Sequence, residues 1–512
     1  MATQKYILTE AYNGLFALDI ETGATLLEFT GTYGSAEIRD GRTPCVDRSN
    51  NWIYYQTLGR LFKLDALNGQ VLDYAAVTDE RQNTSGNTML VNDGHGYFIV
   101  TFFWKFSAYG GAIKVYDQNL DLVWEADGLN SFVKSNIVYN DGVVYFGTGD
   151  SFQYEYNHEW YSGQKEDCKV IAYDVTDGSV NWTWEADASA DYVPNKNKAV
   201  LDLIYCNGYL IALSALGGGV DNTFGMVWVI NASDGSLLKT YTHDKTLTSC
   251  GRAAFSYGRL IKGNLTNNEA EVIQIGVGAK ADYAPFGNHK LNHCVADSTA
   301  LTGLDETITY VGSVSGTAPI EPAQGSIVYN GKVYTTGHGT AGGVVSFDIE
   351  TLTVSEEYDT GAIWDSSPMI VANINDDPVL LIYRSDAPAV GAFDLSTGNL
   401  IWESSTALTG YLFFGFTYYE AAYTTLLDGF DSPAIIESIN SNLATLNSLI
   451  ADAATISTID SLVGWVDAVN TNIANLNTEG VEVTVEEITV GMTGQQVINI
   501  INNFVIDYAE AN

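Results

Sequence analysis

Basic residues and cysteine are both scarce in this 512-residue chain. Only 23 lysines and arginines stand against 62 aspartates and glutamates, for a formal net charge of −39. That balance repels a nucleic-acid duplex and an anionic lipid surface, so neither is expected as a partner. The charge favours solubility of a large particle, and loop carboxylates are left as candidate calcium ligands. The five cysteines, Cys45, Cys168, Cys206, Cys250 and Cys294, lie far apart without a C-x-x-C pair. This argues against a disulfide framework or a zinc knuckle. No apolar run reaches the length a membrane-spanning helix needs. The opening "MATQKYILTEAYNG" has no apolar segment of the secretory kind, so production without export is expected.

Glycine (49) and tyrosine (31) are abundant, which suits short strands joined by tight turns. "GLFALDIETGATLLEF" (Gly14 to Phe29) returns as "GRLFKLDALNGQVLDY" (Gly59 to Tyr74) and as "GAFDLSTGNLIWE" (Gly391 to Glu403). The unit is a strand ending in aspartate, a turn, and another strand. Its aspartate, or the equivalent, falls at Asp19, Asp65, Asp117, Asp174, Asn231, Asp297, Asp348 and Asp394, 46 to 66 residues apart. Glycine follows four residues later at Gly23, Gly69, Gly178, Gly235 and Gly398. An aromatic or apolar residue follows about eight after the aspartate, as at Trp182 and Trp402, with Trp124 one residue early. The aspartate accepts hydrogen bonds from turn amides, the glycine permits positive φ, and the large ring packs between neighbouring sheets. Strands apolar on both faces, repeated at this period, predict four-stranded sheets stacked as propeller blades.

The phrase A-x-D-x-x-T-G-x-x-x-W resembles the tryptophan-docking repeat of the pyrroloquinoline-quinone-type (PQQ-like) β-propellers. Quinoprotein alcohol dehydrogenases and the propeller lipoprotein of outer-membrane protein assembly share it. The resemblance implies an all-β, eight-bladed propeller, with seven blades as the alternative because the stretch from Gly258 to Gly312 is degenerate. The strand "YLFFGFTYY" (Tyr411 to Tyr419) is expected to complete the short first blade and so remove the ring's sheet edges.

Activity is less marked. "VVYFGTGDSF" (Val143 to Phe152) is similar to a calcium-ligand stretch of quinoprotein dehydrogenases, which would make Asp150 a ligand where that family prefers asparagine. No adjacent cysteine pair stands ready to stack on a quinone, and the family's catalytic aspartate motif has no match. Asp150 therefore reads first as a turn residue. "NHKLNHC" brings His289 and His293 together as weak metal candidates in a strand-and-loop setting. "DSFQYEYNHEWYSGQKED" (Asp150 to Asp167) is a more promising surface. Its Tyr154, Tyr156, Trp160 and Tyr161 are candidate recognition residues, because flat amphipathic rings bind at low entropic cost. The plainer reading is a loop that packs its own aromatics.

Past Asp431 the pattern turns helical. Ile439, Leu443, Leu446 and Ile450 step by four and three, as do Leu462, Val466, Val469, Ile473 and Leu476, with "ATISTID" between them. A helical hairpin or interrupted coiled coil over 431–480 is expected, followed by a strand–helix anchor over 481–512, behind a propeller over 1–430. The segment "GMTGQQVINIINNF" has a capping-box start at Thr493 and Gln496. With the Asn/Ser-rich stretch before it, it resembles attachment segments of bacteriophage fibre proteins. That resemblance implies a homo-oligomeric virion component, assembled in the host cytoplasm, that joins other virion proteins through its C-terminal region. The loops would then meet a host-surface glycan or protein, without catalysis or cofactor. A quinoprotein oxidoreductase and a cytoplasmic scaffold propeller are the alternatives.

Overall fold

The computed structural model describes residues 5–11, 14–33, 36–38, 44–47, 50–57, 60–76, 89–92, 97–105, 110–129, 132–133, 137–149, 153–156, 159–162, 168–186, 200–214, 224–246, 253–264, 269–284, 295–315, 326–336, 343–360, 369–374, 377–384, 389–404 and 416–420. The chain separates into two compact units, Lys5–Glu420 and the remainder, Met1–Gln4 with Ala421–Asn512. The helices expected over 431–480, the anchor over 481–512 and their apolar residues lie outside the described residues.

Lys5–Glu420 is an all-β propeller built from antiparallel four-stranded sheets, with no α-helix among the described residues. The first sheet joins the two ends of the unit: Phe416–Glu420, Lys5–Ala11, Gly14–Asp19 and Thr25–Tyr33, with Ala36–Ile38 added at its edge. The second holds Cys45–Asp47, Trp52–Thr57, Arg60–Asp65 and Val71–Ala76, and the third Met89–Asn92, Tyr97–Lys105, Gly110–Asp117 and Leu122–Leu129. The fourth holds Val138–Asn140, Val143–Gly149, Lys169–Asp174 and Val180–Glu185, with Phe132–Val133 beside its second strand. Val200–Cys206, Tyr209–Ser214, Phe224–Asn231 and Leu237–Thr246 form the fifth. Ala254–Ser256, Arg259–Asn264, Glu269–Val277 and Gly303–Val314 form the sixth. Ile327–Tyr329, Lys332–Thr336, Val344–Asp348 and Val354–Tyr358 form the seventh. Met369–Ile374, Asp377–Arg384, Ala389–Asp394 and Leu400–Glu403 form the last.

Ring closure follows the sequence expectation. Phe416–Glu420 pairs antiparallel with Lys5–Ala11, Tyr419 opposite Tyr6. Their rings stack with centroids 4.4 Å apart, and the Tyr419 hydroxyl donates to Asn51 Oδ1 at 2.7 Å. The closing strand thus links the first sheet to the second and covers the edge of Lys5–Ala11.

Burial explains the apolar patterning. Third strands lie between two neighbouring sheets and are buried on both faces, as in Gly14–Asp19 and Val344–Asp348. Outer strands such as Val71–Ala76 are largely exposed, with only Val71 and Ala75 half-buried. First and second strands are joined by two-residue turns at Asp141-Gly142, Asn207-Gly208 and Asn330-Gly331, where both residues have positive φ. That is the backbone a tight hairpin with right-handed twist requires, and Asn-Gly or Asp-Gly supplies it at least strain.

The repeat acts at the next turn, between third and fourth strands. Asp19 Oδ1 accepts from the amides of Glu21 and Thr22 and from the Thr22 hydroxyl. Asp174 does so from Thr176, and Asp394 from Ser396 and Thr397. The amide four residues on then donates back, Gly23 to the Asp19 carbonyl at 2.9 Å and Gly178 to the Asp174 carbonyl at 3.0 Å. These glycines have φ near +70°, which any Cβ would strain.

The sixth sheet corrects one expectation. Its register sets Arg259 opposite Gln274, where other sheets set Tyr209 opposite Asn231 and Lys332 opposite Asp348. Gln274, and not Asp297, therefore holds the key position. A connection spanning 278–302 replaces the usual four- or five-residue turn, so linear spacing pointed past the true position. Asp297 lies inside that connection and caps the single 3-10 turn Ser298–Ala300.

Candidate functional site

Seven of the eight sheets dock on their successor through one recurring acceptor, the carbonyl of the residue just after the key turn position, while the fifth reaches the sixth through Cys206 Sγ to Asp297 O and Asn207 Nδ2 to Leu301 O. Trp124 Nε1 donates to Val175 O at 2.7 Å, Trp182 Nε1 to Ala232 O at 2.9 Å, and Trp402 Nε1 to Ile20 O at 2.9 Å. The same indoles lie flat over the next sheet's turn glycine. A Cβ on Gly178 would fall 2.7 Å from Trp124, and one on Gly235 2.6 Å from Trp182. Glycine is thus required twice over, for backbone angle and for close approach.

Where tryptophan is missing, another donor reaches the same carbonyl. Tyr6 Oη donates to Ala66 O at 2.6 Å while Leu27 covers Gly69. Tyr54 Oη and Lys63 Nζ both donate to Gln118 O, the ammonium lying 3.2 Å from the Trp52 ring centroid. Tyr358 Oη donates to Leu395 O at 2.9 Å with its ring over Gly398. The sixth sheet uses Arg259, whose guanidinium donates to Ile349 O at 2.5 Å and Glu350 O at 2.7 Å. Sequence reading missed these five substitutes. The only signal was the absence of tryptophan at its expected place.

Around Arg259 the site becomes charged. Tyr257, at φ 58°, occupies the turn position that asparagine or aspartate holds in other sheets, a left-handed backbone that is an outlier for a bulky residue. Its hydroxyl donates to Glu350 Oε1 at 3.1 Å. Lys280 Nζ lies 3.1 Å from Asp348 Oδ2 and 3.0 Å from Glu350 Oε2. Burial pushes the Asp348 carboxyl up, but hydrogen bonds from the Thr351 amide, Lys280 and the Glu350 amide outweigh it and hold the group at about 2.

A carboxyl that ionises more readily folded than unfolded stabilises the protein fully above its unfolded value, about pH 4, and loses that contribution as pH falls through its folded value. Asp348→Asn is therefore expected to narrow the difference between melting midpoints measured at about pH 4.5 and about pH 2.5. A difference as wide as in the unsubstituted chain would show that this network carries no pH-dependent stability.

The two ends of the ring are unlike. At one end, first and second strands are joined through two to four residues and third and fourth through four or five, the sixth sheet excepted. At the other end, second and third strands are joined through two to nineteen residues, and the fourth strand of one sheet reaches the first of the next through seven to fourteen, Ala36–Ile38 and Phe132–Val133 falling within two of these links. Between the second and third strands of the fourth sheet the link reaches 19 residues and folds as a hairpin, Gln153–Tyr156 with Glu159–Ser162. Its register sets Tyr154 opposite Tyr161 and Glu155 opposite Trp160, so the four predicted aromatics belong to one ribbon. Asp150, His289 and His293 lie outside the described residues. Cys45, Cys168 and Cys206 are buried, and burial pushes the Cys206 thiol up to about 12.

A cleft of about 710 Å³ opens at the tight-turn end, between the 278–302 connection and the seventh and last sheets. Its residues come from four separate stretches of sequence, which is why no motif announced it. Among the described residues no group of three or more histidines, cysteines or acids is placed to hold a metal ion.

No family model and no curated protein matches the chain. Solved structures do match. The dihydro-heme d1 dehydrogenase NirN, in complex with DHE, aligns at 11% identity over 82% of this chain and 75% of its own, with a TM-score of 0.49. Sqt1 of Saccharomyces cerevisiae aligns at 10% identity over 77% and 97%, also with a TM-score of 0.49. The quinohemoprotein alcohol dehydrogenase of Comamonas testosteroni aligns at 11% over 74% and 69%, with a TM-score of 0.46. Likenesses this distant bear on the fold alone and carry no activity across.

Proposed function

We propose that this chain is a non-enzymatic binding protein, a stiff propeller that presents loop side chains to a host-surface glycan or protein as part of a bacteriophage tail or head appendage. The observation that carries the binding reading is the inequality of the two ends. Turns of two to five residues close one end, the 278–302 connection excepted, while the links between sheets and the Gln153–Ser162 hairpin lie at the other. Recognition residues concentrate on loops held by such a scaffold. Four aromatics within a two-stranded ribbon supply large contact area at small entropic cost.

The virion setting rests on the sequence of the C-terminal region, whose helical periodicity and fibre-like phrase suit attachment to other virion proteins and oligomerisation. Repeated copies would raise avidity for a surface without new contacts. No cofactor is required, and calcium at loop carboxylates is the one ion this reading admits. Four-stranded units built alike, the first closed by Phe416–Glu420, support an eight-bladed count over seven.

The binding reading is tested with the full chain and a variant carrying Tyr154→Ala, Tyr156→Ala, Trp160→Ala and Tyr161→Ala, applied to a glycan array and to intact bacterial cells. Retention by the unsubstituted chain, reduced about ten-fold or more in a variant with an unchanged melting curve, is the expected result. Equal retention would remove the hairpin from recognition. Stoichiometric uptake of pyrroloquinoline quinone in the presence of calcium would overturn the non-enzymatic reading. Mass spectrometry of purified particles decides the virion setting separately.

A further inference from the structure

Every four-stranded sheet but the first takes its strands from one continuous stretch of sequence. In the first, Phe416–Glu420 arrives from the far end of the unit and pairs with Lys5–Ala11, from Phe416 opposite Thr9 to Glu420 opposite Lys5. Side chains alternate across a strand. Phe416 and Tyr418 accordingly pack with the first and last sheets, while Thr417 Oγ1 donates to Pro44 O at 2.8 Å and Tyr419 Oη to Asn51 Oδ1 at 2.7 Å. The link from Glu403 to Phe416 spans twelve residues. This strand can therefore leave its place without carrying another strand along.

Sheets five to seven are tied together instead. The 278–302 connection has two described legs, Gly278–Ala284 and Val295–Thr302, and 285–294 between them lie outside the described residues. In the first leg Ala279 O accepts from the Tyr257 amide at 2.9 Å, and Tyr283 exchanges backbone hydrogen bonds with Val328 of the seventh sheet at 2.8 Å. In the second leg the Ala296 amide donates to Tyr205 O of the fifth sheet at 2.8 Å. Asn207 Nδ2 and the Gly258 amide donate to Leu301 O and Ala300 O at 2.9 and 2.6 Å. One buried apolar cluster joins Ile211, Leu260 and Val333 of the three sheets with Tyr283, Ala296 and Leu301 of the legs.

We infer that the ring has a preset opening point: Phe416–Glu420 detaches from Lys5–Ala11, while sheets five to seven, strapped by the two legs, stay closed and open only as one unit. Native proteins open in cooperative pieces, and the piece secured by the fewest ties opens at the lowest free energy. Releasing the closing strand breaks one short ladder and two side-chain hydrogen bonds. Parting the fifth sheet from the sixth, or the sixth from the seventh, breaks the strap as well as the packing between sheets. The position of the clasp gives it a use. Lys5 and Glu420 stand opposite each other, and from each the chain passes directly into the other compact unit, Met1–Gln4 with Ala421–Asn512. A load carried by that unit therefore reaches the ring through the two strands that part, and not through the strapped sheets.

The test is amide hydrogen exchange of the full chain, read by mass spectrometry. Phe416–Glu420 is compared with Val200–Cys206, Ala254–Ser256 and Ile327–Tyr329, each the first strand of its sheet and bonded within that sheet along one edge. The closing strand is expected to exchange about ten-fold faster or more, and the other three at one common rate. Tyr419→Phe and Asn51→Gly remove the same hydrogen bond from either side, the glycine keeping the positive φ of 54° at Asn51. Each is expected to speed exchange of Phe416–Glu420 about three- to ten-fold and to leave the other three strands unchanged. Asn207→Gly, at φ 47°, removes the tie to Leu301 and is expected to speed those three together, with the closing strand unchanged. A closing strand as well protected as the other three in the unsubstituted chain would overturn the inference, and that comparison needs no variant. Separate rates for the three strands, or a response of the closing strand to Asn207→Gly, would overturn it as well.

Discussion

Replacing Trp402 with alanine is expected to lower the stability of the propeller by about 3–5 kcal/mol, the range found when a buried aromatic is truncated in a packed core. The ring is 8% exposed, the most deeply buried of the three docking tryptophans. It packs with Phe16, Leu18 and Ile20 of the first sheet and Val390 and Ala392 of its own. Its Nε1 donates to Ile20 O across 382 residues of sequence. Truncation opens a cavity and orphans an acceptor at the seam where the last sheet meets the first. Trp124 and Trp182, only half-buried, are expected to cost less. Denaturant unfolding of the three alanine variants makes the comparison. A Trp402→Ala loss no larger than that of the exposed Leu400→Ala would contradict the docking account.

The same seam predicts a coupling. Gly23 sits at φ +70°, and any Cβ there would overlap the Trp402 ring. Gly23→Ala should destabilise the native chain through both strain and overlap. In the Trp402→Ala background only the strain remains, so the two losses should sum to more than the double variant shows. Residues in contact depart from additivity by about 0.5–3 kcal/mol. Strict additivity would mean that the glycine serves the backbone alone.

The second large effect lies inside the sixth sheet. Lys262 and Glu271 face each other across its second and third strands, with Nζ and Oε2 3.0 Å apart. Their side chains are 8% and 0% exposed. Lys262→Met takes the ammonium away from a carboxylate shielded from solvent, a change that costs about 3–5 kcal/mol when a buried pair is broken. Lys262→Met combined with Glu271→Leu removes both charges, and desolvation no longer opposes folding. That double variant is expected to recover most of the loss, because apolar replacement of a buried pair is often neutral or better. Unfolding curves of the single and double variants decide it. A double variant as unstable as the single one would show that packing, and not unpaired charge, sets the cost.

The turn chemistry was legible because it is local. An aspartate whose carboxylate caps amides two and three residues on, and a glycine four residues on, fall within one short window, so Asp19–Gly23 and Asp394–Gly398 could be read directly. Trp124, Trp182 and Trp402 were legible as sheet-packing residues for the same reason. Their partners were not, because Val175, Ala232 and Ile20 belong to another repeat and each offers only a backbone carbonyl. Any donor of suitable reach satisfies that carbonyl, which is how Arg259, Tyr358, Lys63 and Tyr6 enter without a motif. The ring-closing strand could be anticipated, since a first sheet with three strands in sequence needs a fourth from elsewhere.

The sequence by itself determined that short two-faced strands would alternate with aspartate–glycine turns, because backbone angles and side-chain caps are properties of neighbouring residues. Only the tertiary structure decided which residue holds the key position in the sixth sheet, which donors join the sheets, and that Lys280–Ala284 and Asp297 meet the seventh and last sheets at one cleft. Those outcomes depend on distances between residues tens to hundreds of positions apart, and such distances exist only once the ring has closed.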